Sequence, residues 1–135
     1  RTALFDAVFT SLVMAPTLPG RPAVVIFSDG VDTVSWTGGP DALALARESS
    51  TLVYAVGIAS ALLQEVVDAT GGRTISGPRV GIESGFLRVL RDLRERYLLR
   101  FDSDGTPGFR PLEVKLKRTR ADLRYRPGYV RRQSQ

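Results

Sequence analysis

Two short runs of unbroken apolar residues constrain this chain more than anything else in it. VVIF (residues 24–27) and LVYAV (residues 52–56) are too short for helices and lack the polar alternation of a half-solvated strand. Runs of this kind are strands buried on both faces, and such strands belong to parallel sheets covered by helices. Helical patterns stand on either side of them. Residues 3–14 place apolar rows at Leu4/Val8/Leu12 and Phe5/Phe9/Val13, with Thr2 at the N-cap position and Pro16, Pro19 and Gly20 ending the helix. Residues 33–40 read as a loop, and Asp41 caps a short helix running to about Ser49. Ser60 caps another to Thr70, with Leu62, Leu63, Val66 and Val67 as its stripe and Gly71 and Gly72 closing it. Residues 73–76 form a weak third strand. A longer helix over 83–96 turns Phe86, Val89, Leu90 and Leu93 inward and Arg88, Arg91 and Arg94 outward. The alternation of helix and strand predicts an α/β fold with right-handed crossovers and a parallel sheet over 23–28, 52–57 and 73–76.

The pattern changes at Tyr97. Tyr97, Leu99 and Phe101 alternate with neighbours, as do Leu112, Val114 and Leu116, and then Leu123 and Tyr125. Period-2 alternation predicts strands with one wet face. The tail is therefore expected to be an antiparallel ribbon over 97–101, 112–118 and 122–126. The chain divides into an α/β unit, 1–96, and a β extension, 97–135, packed on it.

Composition removes several chemistries. The 135 residues include no cysteine and no histidine. Thiol nucleophiles, thiolate metal sites, imidazole bases and the Ser-His-Asp triad are thereby excluded. The net charge of +5 is split: residues 1–85 carry 5 basic against 8 acidic side chains, and residues 86–135 carry 14 against 6. The basic tail is read as solvated helix and ribbon faces, because its aromatics sit at strand spacing and no nucleic-acid motif occurs. No nucleic-acid partner is expected. No apolar run approaches the roughly 18 residues of a membrane span. The first residue is Arg1 rather than Met, which reads as a piece of a longer chain.

The first strand ends in Ser28-Asp29-Gly30-Val31-Asp32. Ligands of open parallel sheets bind at the carboxyl ends of strands. Asp29, Ser28, Asp32 and Thr2 supply oxygens of the kind that Mg²⁺ takes, and Gly30 allows a sharp turn. The same residues also suit a plain turn in which Asp29 caps a backbone amide. Trp36 and Ser35 in the following loop read either as a partner contact or, for the indole, as packing over the helix from Asp41.

The order RTALFDAV, VVIFSDGVDT, TLVYAVGI resembles the von Willebrand factor type A (VWA) family. The tail RYLLRFD, FRPLEVKLKR, RYRPGYV is similar to a bacterial, acidobacterial-type branch of it. The resemblance implies a Rossmann-like VWA fold, with Thr2 and Asp29 as metal ligands and Asp6 and Asp32 at positions often acidic in the family. The family's opening Asp-x-Ser-x-Ser segment has no counterpart here. The resemblance thus implies that the N-terminal strands are missing, that at most two of five ligands are present, and that the edge of strand 23–28 is open to self-association.

The function expected from this resemblance is a metal-dependent, non-enzymatic protein-binding or adhesion module, secreted or in the cell envelope. It would use Mg²⁺ (or Mn²⁺ or Ca²⁺), completed by upstream ligands, to meet an acidic side chain of a protein partner. The alternatives are a structural or assembly domain with an incomplete metal site, and a Mg²⁺-dependent hydrolase. Against the last, residues 1–114 contain no lysine and the chain has no P-loop.

Overall fold

The computed structural model describes residues 1–102, 107–118, 121 and 123–131. The chain runs α1 (Leu4–Met14), a 3₁₀ turn (Ala15–Thr17), β1 (Ala23–Ser28), α2 (Gly39–Glu48), β2 (Leu52–Gly57), α3 (Ala61–Thr70), β3 (Arg73–Ile75), α4 (Ile82–Arg94), β4 (Gly108–Pro111) and β5 (Gly128–Arg131). The first three strands form one parallel sheet in the order β1-β2-β3, with Ala23 beside Leu52 and Tyr54 beside Arg73. Helices cover both faces. Leu4, Phe5, Val8 and Leu12 of α1 join Ala42, Ala46, Leu63, Val66 and Val67 over Val53 and Ala55. On the opposite face, Val89 of α4 packs with Tyr54, Val56 and Ile75. The expected parallel α/β unit is present, with helices and strands within about two residues of the predicted bounds.

The burial of the two apolar runs differs. β2 is buried from Val53 to Val56, whereas β1 is only half-buried and Phe27 is 41 % exposed. The residue types are alike, and what separates them is a neighbour. Among the described residues β2 has a strand on each side and β1 has one only on the β2 side.

Two caps differ from expectation. Thr2 does not cap α1: the residue before the helix is Ala3, and no side chain there accepts a helix amide. The helix of Asp41 begins two residues earlier, at Gly39, with Pro40 and Asp41 in its first turn. There the acidic side chain faces the positive helix end without capping it. Ser60 does cap α3, accepting from the Leu63 amide at 3.3 Å.

Among the described residues the antiparallel ribbon has two strands, not three, and they are β4 and β5. The predicted strands at 97–101 and 112–118 have no regular structure, and neither do 123–126. Residue 122 lies outside the described residues. Alternation marks which side chains share a face but not which strand will pair. Tyr97, Leu98, Leu99 and Phe101 are all exposed, so no buried face holds that segment in a sheet. The register taken sets Phe109 opposite Val130 and lays its ring over Gly128, where a Cβ would lie 2.3 Å from that ring, a fit no larger residue allows. The extension touches the α/β unit through Arg126, whose guanidinium donates to the Arg47 carbonyl at 3.0 Å.

α4 is fastened to the sheet by a polar cluster. The buried Tyr54 hydroxyl donates to Asp92. Arg96 Nε donates to the Tyr54 oxygen at 2.9 Å and to Asp92 at 3.2 Å, and Arg96 Nη2 donates to the Gly71 carbonyl at 2.6 Å. Phe86, expected inside, lies 44 % exposed, because α4 meets the sheet through Gly85 and Val89 on the β2–β3 side.

Candidate functional site

The carboxyl end of β1 carries the residues singled out in the sequence. The strand stops in two local turns. Ser28 Oγ accepts from the Gly30 amide at 3.0 Å, and Asp29 Oδ1 accepts from the Val31 amide at 3.1 Å. Gly30 adopts φ +80°, and a Cβ there would lie 2.8 Å from the Ile58 carbonyl oxygen. Only glycine combines that backbone angle with that approach. The Ile58 amide in turn donates to the Ser28 carbonyl at 3.1 Å, so the loops after β1 and β2 are held side by side.

The next six residues clasp the start of α1. Asp32 Oδ1 accepts from the Leu4 amide at 2.7 Å and from Ser35 Oγ at 2.5 Å. Ser35 Oγ also accepts from the Phe5 and Asp6 amides at 3.0 and 3.2 Å. These bonds satisfy the amides that open a helix and that a local cap would otherwise serve. Thr33 pairs with the main chain of Thr2, accepting from its amide at 2.7 Å and donating its own amide to the Thr2 carbonyl at 2.9 Å. Asp6 completes the clasp from the helix side, accepting from the Trp36 amide at 3.0 Å and the Thr37 amide at 2.6 Å.

Two electrostatic consequences follow. The backbone amides of Thr37 and Trp36 hold the Asp6 carboxyl below the usual carboxylate range. The Ser35 hydroxyl, ahead of the Leu4 amide, does the same for Asp32. Both stay ionised because their charged forms accept these bonds.

The clasp fixes the loop backbone and leaves its apolar side chains outside. Trp36 is 98 % exposed although its amide is held. Its indole does not pack over α2. Val31, Val34 and Ile58 are exposed at the same end of the sheet.

Thr2, Asp6, Asp32, Ser35 and Trp36 are thus brought together, and Asp29 stands at the start of the same loop. Their roles divide. Asp6 uses both carboxylate oxygens on loop amides, and Asp32 and Ser35 are spent on α1. Asp29, through its carboxylate, and Thr2, through its hydroxyl, are the residues here that could offer oxygens to a cation. Hard divalent cations take about six or more oxygens. Among the described residues no three His, Cys, Asp or Glu side chains converge to hold a metal. The residues described do not by themselves make a cation cage. Sequence reasoning did not find the clasp, since its partners lie about 30 positions apart. It also did not find the exposed apolar rim of Val31, Val34 and Ile58. The polar clustering of residues 28–37 was the one available signal.

No protein-family model, curated protein or solved structure matches this chain.

Proposed function

We propose that this chain is a non-enzymatic protein-binding module whose contact surface is the loop of residues 29–37 at the carboxyl end of the sheet. One observation carries the reading: Trp36 is almost wholly exposed on a backbone held by Asp6, Asp32, Ser35 and Thr33. A large apolar side chain on a pre-ordered loop contributes contact area while losing little loop entropy on binding, as binding hot spots do. Val31, Val34 and Ile58 extend the apolar surface around it. The clasped carboxylates favour binding over catalysis, since Asp6 and Asp32 are ionised and already engaged as acceptors, and the chain has no histidine.

The resemblance to VWA domains adds a cation held at Thr2 and Asp29 and completed by oxygens from elsewhere. That form is the second arm of the test. Peptides are selected by display against the immobilised chain, with Mg²⁺ and with chelator. Selected peptides should lose binding to Trp36→Ala while its circular dichroism stays unchanged. Peptides indifferent to Trp36 would refute the contact surface. Enrichment of Asp and Glu only with Mg²⁺, lost in Asp29→Ala, would establish the metal-dependent form.

A further inference from the structure

Among the described residues β1 is an edge strand, and it carries none of the devices that keep edges unpaired. Exposed edges are normally blunted by lysine, proline, a bulge or a covering element. Ala23–Ser28 contains no charge, proline or glycine, and its six residues pair with β2 in unbroken register. Both of its faces are apolar: Val24 and Ile26 reach the α1 side of the core, and Ala23 and Val25 reach the α4 side. All four are only half-buried, and Phe27 is 41 % exposed. α1, which packs on α2 and β1, leaves Val13 and Met14 exposed, as is Leu18 beyond its end.

The charges that flank the strand indicate what pairs with it. Exposed Arg21 precedes β1 and exposed Asp29 follows it. A second copy set parallel would place like charges together. A second copy set antiparallel, about a two-fold axis through Val25, places Ala23 opposite the partner's Phe27 and Val24 opposite the partner's Ile26, keeping each face of the strand on its own side of the sheet. It sets Arg21 directly opposite the partner's Asp29, twice. We infer that the free edge of β1 binds the β1 of a second copy in this antiparallel register, joining two three-stranded sheets into one of six strands.

The test is sedimentation equilibrium of the 135-residue chain across a concentration series, with circular dichroism of each variant. The wild type should be a dimer. Phe27→Lys, which puts a charge on an already exposed edge position, should be a folded monomer. Arg21→Glu and Asp29→Arg should each weaken the dimer about tenfold, from two lost ion pairs. The double reversal Arg21→Glu/Asp29→Arg should restore it. A wild type that stays monomeric, or that pairs only when another polypeptide is added, overturns the inference. So does association that survives Phe27→Lys, or a double reversal that fails to rescue.

Discussion

Replacing Tyr54 with phenylalanine tests the polar cluster that fastens α4 to the sheet. Tyr54 is fully buried, and its hydroxyl both donates to Asp92 and accepts from Arg96 Nε at 2.9 Å. Phenylalanine keeps the ring and the Arg96 guanidinium stacked 5.6 Å from its centre. It removes only the hydroxyl. Asp92 retains Arg96 at 3.2 Å and Arg73 at 3.9 Å, and Arg96 retains the Gly71 carbonyl, so no charge is left without a partner. Hydrogen bonds to charged groups contribute about 1.5–3 kcal/mol, and with the partners still engaged the expected loss near neutral pH is about 2 kcal/mol. The alkaline limb supplies a second, independent number. Burial, and then the hydrogen bond to Asp92, push the Tyr54 phenol from 10.0 up to about 12. A raised phenol value means the neutral form is favoured by folding. Its contribution is complete below pH 10 and is lost as pH rises through 12. Two units correspond to at most about 3 kcal/mol, and solvent screening of the half-buried cluster makes the contribution smaller. The assay is urea unfolding followed by far-UV circular dichroism at matched protein concentration, from neutral pH to pH 12. Wild type should be the more stable by about 2 kcal/mol at neutral pH, and the difference should shrink towards the top of the range. Parallel pH profiles for the two proteins would refute the reasoning, as would equal stability near neutrality.

Asp6→Asn should loosen the loop without unfolding the chain, because an amide cannot replace both carboxylate acceptors. Fluorescence anisotropy of Trp36, the single tryptophan, should fall in this variant, while its emission maximum, already that of an exposed indole, stays put. In the wild type the same anisotropy should be flat above about pH 4. It should fall only below the ordinary carboxyl value of 3.8, since lowered values for Asp6 and Asp32 keep the clasp until acid protonates them. Gly72→Ala should cost about 3 kcal/mol or more in thermal or urea unfolding. A Cβ there would lie 1.7 Å from the Val53 carbonyl oxygen, so β2 and the end of α3 must separate.

The sequence by itself determined the elements of the α/β unit and their order. Apolar runs, helical stripes and cap residues such as Ser60 and Gly71 act within one or two turns of chain, so their signals are local and legible. They also located the candidate surface, since a buried strand that ends in Ser28-Asp29-Gly30 must deliver those residues to the carboxyl edge of a parallel sheet. The tertiary structure decided what those residues do there. Asp32 and Ser35 take the place of the cap expected from Thr2. Asp6 holds amides of a loop 30 residues away, and Tyr54 meets Asp92 and Arg96 across some 40. The ribbon misled for the same reason: alternation over 97–101 and 112–118 predicts which side chains would share a face, but the pairing of β4 with β5 rests on Phe109 fitting against Gly128. Among the described residues the strand order sets β1 at the edge and β2 at the centre, a difference that the two apolar runs, alike in residue type, do not themselves express. Periodicity records how a segment expects to be buried, whereas partners distant in sequence are chosen by the geometry that the packed core creates.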